Sequence, residues 1–150
     1  LRRVAQDRSG RGVMTEAKIM EQAPVLFARD LPKAIDYWAD KVGFRTLGVW
    51  GEPPDFAIAV RDRAHVMLTQ APKVHEIVPF WRIKEKMWNA YFWVDDARAI
   101  YEELKGHGAQ IDYHLGEKPY GVLEFGIQDL DDQDIGFGQD LAPQSGAANG

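Results

Sequence analysis

The chain of 150 residues contains no cysteine, which excludes disulfides, thiolate metal centres and a cysteine nucleophile. It lacks any long apolar run: its longest stretches are about the length of a β-strand, far short of the roughly 20 residues a membrane-spanning helix needs. Positive charge is not in excess. Eighteen Lys and Arg against 23 Asp and Glu leave a net charge of −5, so neither nucleic acid nor an anionic membrane is expected as the main partner. A Gly-rich phosphate loop and a nucleophile elbow are missing as well. What the chain does hold is 45% apolar residues, among them five Trp, five Tyr and seven Phe. That is enough to bury a core in one domain of ordinary size. A soluble globular protein of a reducing compartment is expected, in the cytoplasm.

The two ends carry little core-forming sequence. Residues 1–20 include four arginines (Arg2, Arg3, Arg8, Arg11) and almost no apolar periodicity, and read as a flexible leader. No apolar segment follows Arg2-Arg3, so the pair is not read as an export signal, and Met14 is read as the natural start. Residues 142–150 offer no core residues and are expected to be mobile. The folded part is expected over 21–141.

Within it lies an internal repeat. FARDLPKAIDYWADKVGF (27–44) placed above FWVDDARAIYEELKGHGA (92–109), at an offset of 65, matches Phe27 with Phe92, Asp30 with Asp95, Ala34-Ile35 with Ala99-Ile100 and Gly43 with Gly108. Repeats of this kind decide fold class before any local detail does. Each segment opens on a short apolar strand (PVLFA; AYFWV) and an Asp suited to cap a helix. A helix of about 11 residues follows, with apolar positions Leu31, Ile35, Trp38 and Val42 in one copy and Ala97, Ile100 and Leu104 in the other. Each helix ends at a glycine suited to a left-handed C-cap.

Three strand-like runs follow each helix: FRTLGVW (44–50), DFAIAV (55–60) and HVMLTQ (65–70), then AQIDYH (109–114), VLEFGI (122–127) and DIGFGQ (134–139). Turn residues separate them. The predicted architecture is α+β, two βαβββ modules over about 22–70 and 88–140, joined by a proline-punctuated linker at 71–87.

A doubled βαβββ unit carrying PVLFARDLPKAIDYWADKVGF at its front and LEFGIQDLDDQDIGFGQ at its close resembles the vicinal oxygen chelate superfamily: glyoxalase I, extradiol dioxygenases, fosfomycin-resistance and bleomycin-resistance proteins. The closing segment is similar to that family's "EF…DPDGN…F" ending, with Leu130 in place of the usual Pro, Asp132 of the Gly and Gln133 of the Asn. The resemblance covers about residues 22–140. It implies a cupped mixed sheet with helices on the convex face, a ligand cavity on the concave face, and a homodimer.

The resemblance also implies four metal-ligand slots, on the first and last strand of each module. The first-strand slot lies seven residues before the capping Asp, which gives Ala23 and Trp88; the last-strand slots fall near Met67 and Gly136. None of these is a ligand for a hard cation or takes the place of an imidazole. A slip of one residue gives Asn89 among others and restores no His/Glu set. No metal and no cofactor is therefore expected. His65, His114 and Glu124 are the residues from which an unconventional set would be assembled, whereas His75 and His107 read as surface residues. The acidic DLDDQD turn (129–134) reads as solvated, lacking the spacing of a calcium loop.

Strand alternation directs Leu26 and Ala28 beneath the first helix and Val25 and Phe27 toward the cavity. In the second module it sends Trp88, Ala90 and Phe92 inward, and Tyr91 and Trp93 to the helix layer. His65, Met67 and Thr69 look inward from the fourth strand. Trp50, Phe80 and Trp81 fall in loops, where a large aromatic needs a core, an interface or a ligand. The ligand-binding candidates are Phe27, Trp50, His65, Met67, Trp81, Trp88, Phe92 and Glu124, with no catalytic residue assigned. A catalytic reading would use Glu124 and Asp134 as an acid/base pair, with His65 to shuttle a proton.

The expected function is non-catalytic binding of a small hydrophobic or aromatic molecule, a cationic one included, by sequestration like that of the bleomycin-resistance proteins. Two alternatives stand beside it. One is a metal-dependent lyase, isomerase or dioxygenase with an unconventional ligand set; the other is an interaction module whose cavity is filled by its own aromatics.

Overall fold

A computed structural model of the chain describes residues 16–142; the expected leader up to residue 15, and the tail from 143, lie outside the described residues. Residues 16–24 form no regular element. The first module then runs β1 (Val25–Ala28), α1 (Leu31–Asp40), β2 (Arg45–Trp50), β3 (Phe56–Arg61) and β4 (Ala64–Gln70). The second runs β5 (Ala90–Trp93), α3 (Ala97–Gly106), β6 (Gln110–Lys118), β7 (Val122–Gln128) and β8 (Asp134–Asp140). Between them the linker folds one helical turn, α2 (Phe80–Ile83), so Phe80 and Trp81 are helical rather than in a loop, and Trp50 ends a strand. The fold is α+β: two four-stranded mixed sheets, ordered β1-β4-β3-β2 and β5-β8-β7-β6, each with one parallel pair at its edge.

Local chemistry accounts for both helices. Asp30 caps α1, its carboxylate accepting from the Lys33 amide, and Pro32 stands in the first turn where its missing N–H is no loss. Asp96 caps α3 through the Ala99 amide. A second device repeats. Gln70, closing β4, accepts from the Leu31 amide, and Gln139, near the end of β8, accepts from the Ala97 amide, so each module's last strand satisfies an orphan donor of its own helix. Gly43 and Gly108 terminate the helices at φ 79° and 84°.

The capping residue of α3 is thus Asp96, not Asp95, and this corrects the repeat. From Asp30 to Gly43 the chain takes one residue more than from Asp96 to Gly108, so the offset is 66 at the strands and caps and 65 only at the glycines. Because side chains alternate along a strand, a slip of one residue exchanges its faces. Ala90 and Phe92 therefore point into the core, and Tyr91 and Trp93 to the opposite side, the reverse of the expectation. The counterpart of Phe27 is Trp93. In the first module the faces are as expected: Leu26 and Ala28 are buried, Val25 and Phe27 are not.

The helix-bearing sides of the modules meet in one core. Trp38 packs edge-on to Phe44 at 5.0 Å, Phe44 reaches Phe92 of the other module at 5.5 Å, and Phe125 stacks on Phe137 at 5.0 Å. Polar contacts lock the same seam. The Tyr37 hydroxyl donates to the Gln128 carbonyl and accepts from the Gln110 amide, and Arg61 grips Glu103 with two 2.8 Å bonds. The other face of each sheet is left turned outward.

Candidate functional site

On the outward face of the first sheet, Val25 lies beside Met67 and Ile58, and Phe27 beside Thr69 and Phe56. Trp50 completes the row, its ring reaching over Gly48, where a Cβ would sit only 2.6 Å from the indole. Val25 is 59% exposed, and Phe27 and Trp50 are each 51% exposed. Apolar groups that large and adjacent form a patch of the kind that marks a binding or association surface. His65 stands on the same face with its Nδ1 unpartnered, 3.8 Å from Glu21. The linker folds back beside Phe27 and encloses a cavity of about 370 Å³ with Pro72, His75 and Ile77.

The outward face of the second sheet is built differently. Gly126, Gly136 and Gly138 leave gaps that the rings of Tyr113, Trp88 and Tyr91 fill; a Cβ at each glycine would fall 1.9–2.7 Å from those rings. At the centre lies Glu124, only 2% exposed. Its carboxylate accepts from Tyr91 (2.7 Å), Tyr113 (2.8 Å) and Tyr120 (3.0 and 3.1 Å), and the Trp88 indole donates to the Tyr113 hydroxyl. Burial first, then the carboxylate, raises the phenols of Tyr91 and Tyr113 above their ordinary range and pushes Tyr120 up to about 12. Trp93, 65% exposed, packs edge-on against Tyr91 at 5.0 Å. A cavity of about 600 Å³, lined by Met20, Gln22, Phe44, Ala64, Tyr91 and Trp93 among others, adjoins this cluster.

The structure thus brings together Phe27, Trp50, His65 and Met67 on one sheet, and Trp88 with Glu124 on the other. Phe92 lies on the other side of its strand, its ring between Phe44 and Phe137, and with them it lines the cavity of about 600 Å³. Trp81 is also elsewhere: its indole donates to the Asp132 carbonyl and pins α2 to the acidic turn. Sequence reasoning missed Tyr91, Trp93, Tyr113 and Tyr120. The signal that finds two of them, Tyr91 and Tyr113, is the pair of alternate glycines in β8, Gly136 and Gly138, with Gly126 beside them: stripped positions on a sheet face invite large side chains from neighbouring strands.

His65, His114 and Glu124 do not converge. His114 turns to the helix side, its Nδ1 2.6 Å from the Tyr101 hydroxyl, while Glu124 faces the tyrosines. Glu124 and Asp134 are likewise held by separate partners, Asp134 by Gln128. At the slots the resemblance implies for a metal stand Ala23, Met67, Gly136 and, with the corrected offset, Asn89, a set that does not fit a divalent cation. Among the described residues no group of three or more His, Asp or Glu is placed to hold one.

The acidic turn is solvated only at Leu130 and Asp132, and both its ends are buried. Asp129 is buried, its carboxylate accepting from the Asp131 and Gln133 amides and from the Gln133 side chain, which also donates to the Phe27 carbonyl of the first module. Burial pushes the Asp129 carboxyl up to about 6 from an ordinary 3.8. The folded state then takes up a proton before the unfolded state does. This group's stabilising contribution is fully present below about pH 4 and is lost as pH rises through about 6. Moving from pH 7 to pH 5 is expected to raise the unfolding free energy by roughly 1–2 kcal/mol in urea titrations, and Asp129→Asn to flatten that slope. A wild-type stability that falls over this interval contradicts it.

Comparison with known proteins agrees with this fold. Residues 20–137 match the family described as the Glyoxalase/Bleomycin resistance protein/Dioxygenase superfamily. No curated protein matches the chain. Among solved structures, TioX from Micromonospora sp. ML1 is similar at 21% identity, TM-score 0.64, covering 81% of this chain and 98% of its own. The bleomycin-binding protein from bleomycin-producing Streptomyces verticillus, complexed with copper(II)-bleomycin, is similar at 25% identity, TM-score 0.61, over 81% and 97%. TnmS3, an antibiotic-binding protein from Streptomyces sp. CB03234, is similar at 20% identity, TM-score 0.61, over 83% and 98%.

Proposed function

We propose, for a chain that belongs to the glyoxalase/bleomycin resistance protein/dioxygenase superfamily, that it binds a small aromatic molecule without transforming it. The observation that carries this reading is the outward face of the first sheet, where Val25, Phe27 and Trp50 stay at least half exposed while their strand neighbours Leu26 and Ala28 are buried. A ring that stacks there gains about 0.5–1.5 kcal/mol per aromatic contact beyond the area it buries, and a cationic ring adds a comparable attraction. The residues assigned to the ligand are Phe27, Trp50, Met67 and His65 from the first sheet and Trp88, Trp93 and Glu124 from the second.

Sequestration of an antibiotic is the role this chemistry fits, and two solved neighbours are a bleomycin-binding and an antibiotic-binding protein. The residues at the metal slots favour no metal-dependent reaction. A second copy of the chain is the natural cover for the remaining apolar face: β1 and β5 each stand at a sheet edge, next to Phe27 and Trp93, and an open edge beside an apolar face favours pairing. The homodimer, acting in the cytoplasm, is part of the same proposal. Among the described residues no helix is long and apolar enough to cross a membrane.

Tryptophan fluorescence titrated with planar aromatic and cationic drugs tests the reading, since Trp50, Trp88 and Trp93 flank the proposed surface. Saturable quenching in the micromolar range is expected, with a dimer in sedimentation equilibrium. Flat titrations to high micromolar concentration across the panel would overturn it.

A further inference from the structure

Glu124 poses a question that binding of neutral aromatics does not answer. A carboxylate almost never lies fully buried without a cationic partner. Here four hydroxyl contacts from three tyrosines satisfy its oxygens, yet among the described residues no lysine, arginine or histidine forms an ion pair with it. Its surroundings are aromatic on several sides: Trp88 packs edge-on to Tyr91 at 4.7 Å, and Trp93 flanks Tyr91. Rings placed this way attract a cation with their faces. The chain itself demonstrates the affinity, since the Lys118 ammonium sits 4.8 Å above the Tyr113 ring at the rim of the cluster.

The three phenols are not equivalent. Tyr91 and Tyr113 are partly buried and each bonds one carboxylate oxygen at short distance. Tyr120 is 60% exposed, sits in the β6–β7 turn beside Gly121, and shares its hydroxyl between both oxygens at 3.0 and 3.1 Å. Of the three, it is the one a ligand can displace at least cost, because a hydroxyl that leaves this position is met by water.

We propose that Glu124, beneath Tyr120, is the receptor for a protonated amine on an aromatic ligand, the ammonium replacing the Tyr120 hydroxyl while the ligand's ring stacks on the exposed Trp93. This rests on the binding reading above and narrows its ligand class to aromatic ammonium compounds. Tyr91 and Tyr113 are positioning residues that keep the carboxylate aimed outward.

A matched pair of probes separates the two claims: 2-(1-naphthyl)ethylamine, cationic at neutral pH, and 2-(1-naphthyl)ethanol, its neutral counterpart, each titrated to millimolar concentration against tryptophan fluorescence. The wild-type protein is expected to prefer the amine by about tenfold or more, in the range of a desolvated cation–π and ion-pair contact. Glu124→Gln is expected to reduce that preference to about twofold or less. Tyr120→Phe, at an exposed position that tolerates change, is expected to strengthen amine binding severalfold and leave the alcohol unaffected; it carries the test if the Glu124 variant does not fold. Equal binding of both probes by the wild-type protein, or an amine preference that survives Glu124→Gln, would overturn the proposal while leaving the binding reading intact. Binding of neither probe overturns both.

Discussion

Trp38→Ala is expected to lower the unfolding free energy by about 3–5 kcal/mol, whereas Phe27→Ala, which removes a side chain of comparable bulk, is expected to change it by less than about 1 kcal/mol. The two aromatics belong to the same module and lie only eleven residues apart, but on opposite sides of the first sheet. Trp38 is 1% exposed, set among Leu26, Val42, Phe44 and Leu68, and its removal leaves a cavity at the seam of the two modules. Phe27 already faces water, so its truncation leaves no void. Urea denaturation of both variants reads the difference. Its functional counterpart runs the other way: Phe27→Ala should weaken binding of a planar drug about three- to tenfold, the loss of one aromatic contact, with folding intact. If Phe27→Ala proves as destabilising as Trp38→Ala, that face is covered by structure rather than available to a ligand.

Gly138→Ala is expected to destabilise the chain by about 2–4 kcal/mol, combining overpacking with the loss of hydrogen bonds to a buried charge. A Cβ there would fall 1.9 Å from the Tyr91 hydroxyl oxygen and 2.8 Å from Val122. Tyr91 must then leave Glu124, and the carboxylate loses its shortest bond, 2.7 Å. Gly116→Ala supplies the control. It lies opposite Glu124 on β6, but the nearest atom to its Cβ is a backbone oxygen at 4.0 Å, so a change under about 1 kcal/mol is expected. Near-ultraviolet circular dichroism, dominated by the packed tyrosines and tryptophans, should lose intensity in Gly138→Ala and keep it in Gly116→Ala. Equal effects at both glycines would mean that the ring cluster contributes little to the fold.

Much of the architecture was legible before any coordinates. Apolar alternation, a capping aspartate, a helix and a terminating glycine occur twice because each is a local requirement of the chain, met by residues within a few positions of one another. Strand order was not among those readings: short turns pair β2-β3-β4 and β6-β7-β8, and the structure adds β1 and β5 in parallel beside β4 and β8. Gln70 and Gln139 were not legible as caps, because the residues they serve are far away in sequence.

Where reading failed, a single residue or a distant neighbour decided the matter. The second module is one residue shorter between cap and glycine, and with a two-residue strand period that slip sends Phe92 into the core and Trp93 to the open face. Glu124 was named as a ligand-binding candidate, but its three tyrosines come from β5, β6 and the β6–β7 turn, and three glycines make the room. Asp129 was read as solvated because acidic turns usually are; the Gln133 side chain and the Phe27 carbonyl of the other module bury it.

By itself the amino-acid sequence determined the two βαβββ modules and the residue types at the metal slots, because periodicity, capping chemistry and donor identity act over short stretches of chain. Only the tertiary structure decided which aromatics stay open and which fill the core, and that a lone carboxylate is enclosed by phenols, because burial is set by what folds over a residue and not by what precedes it.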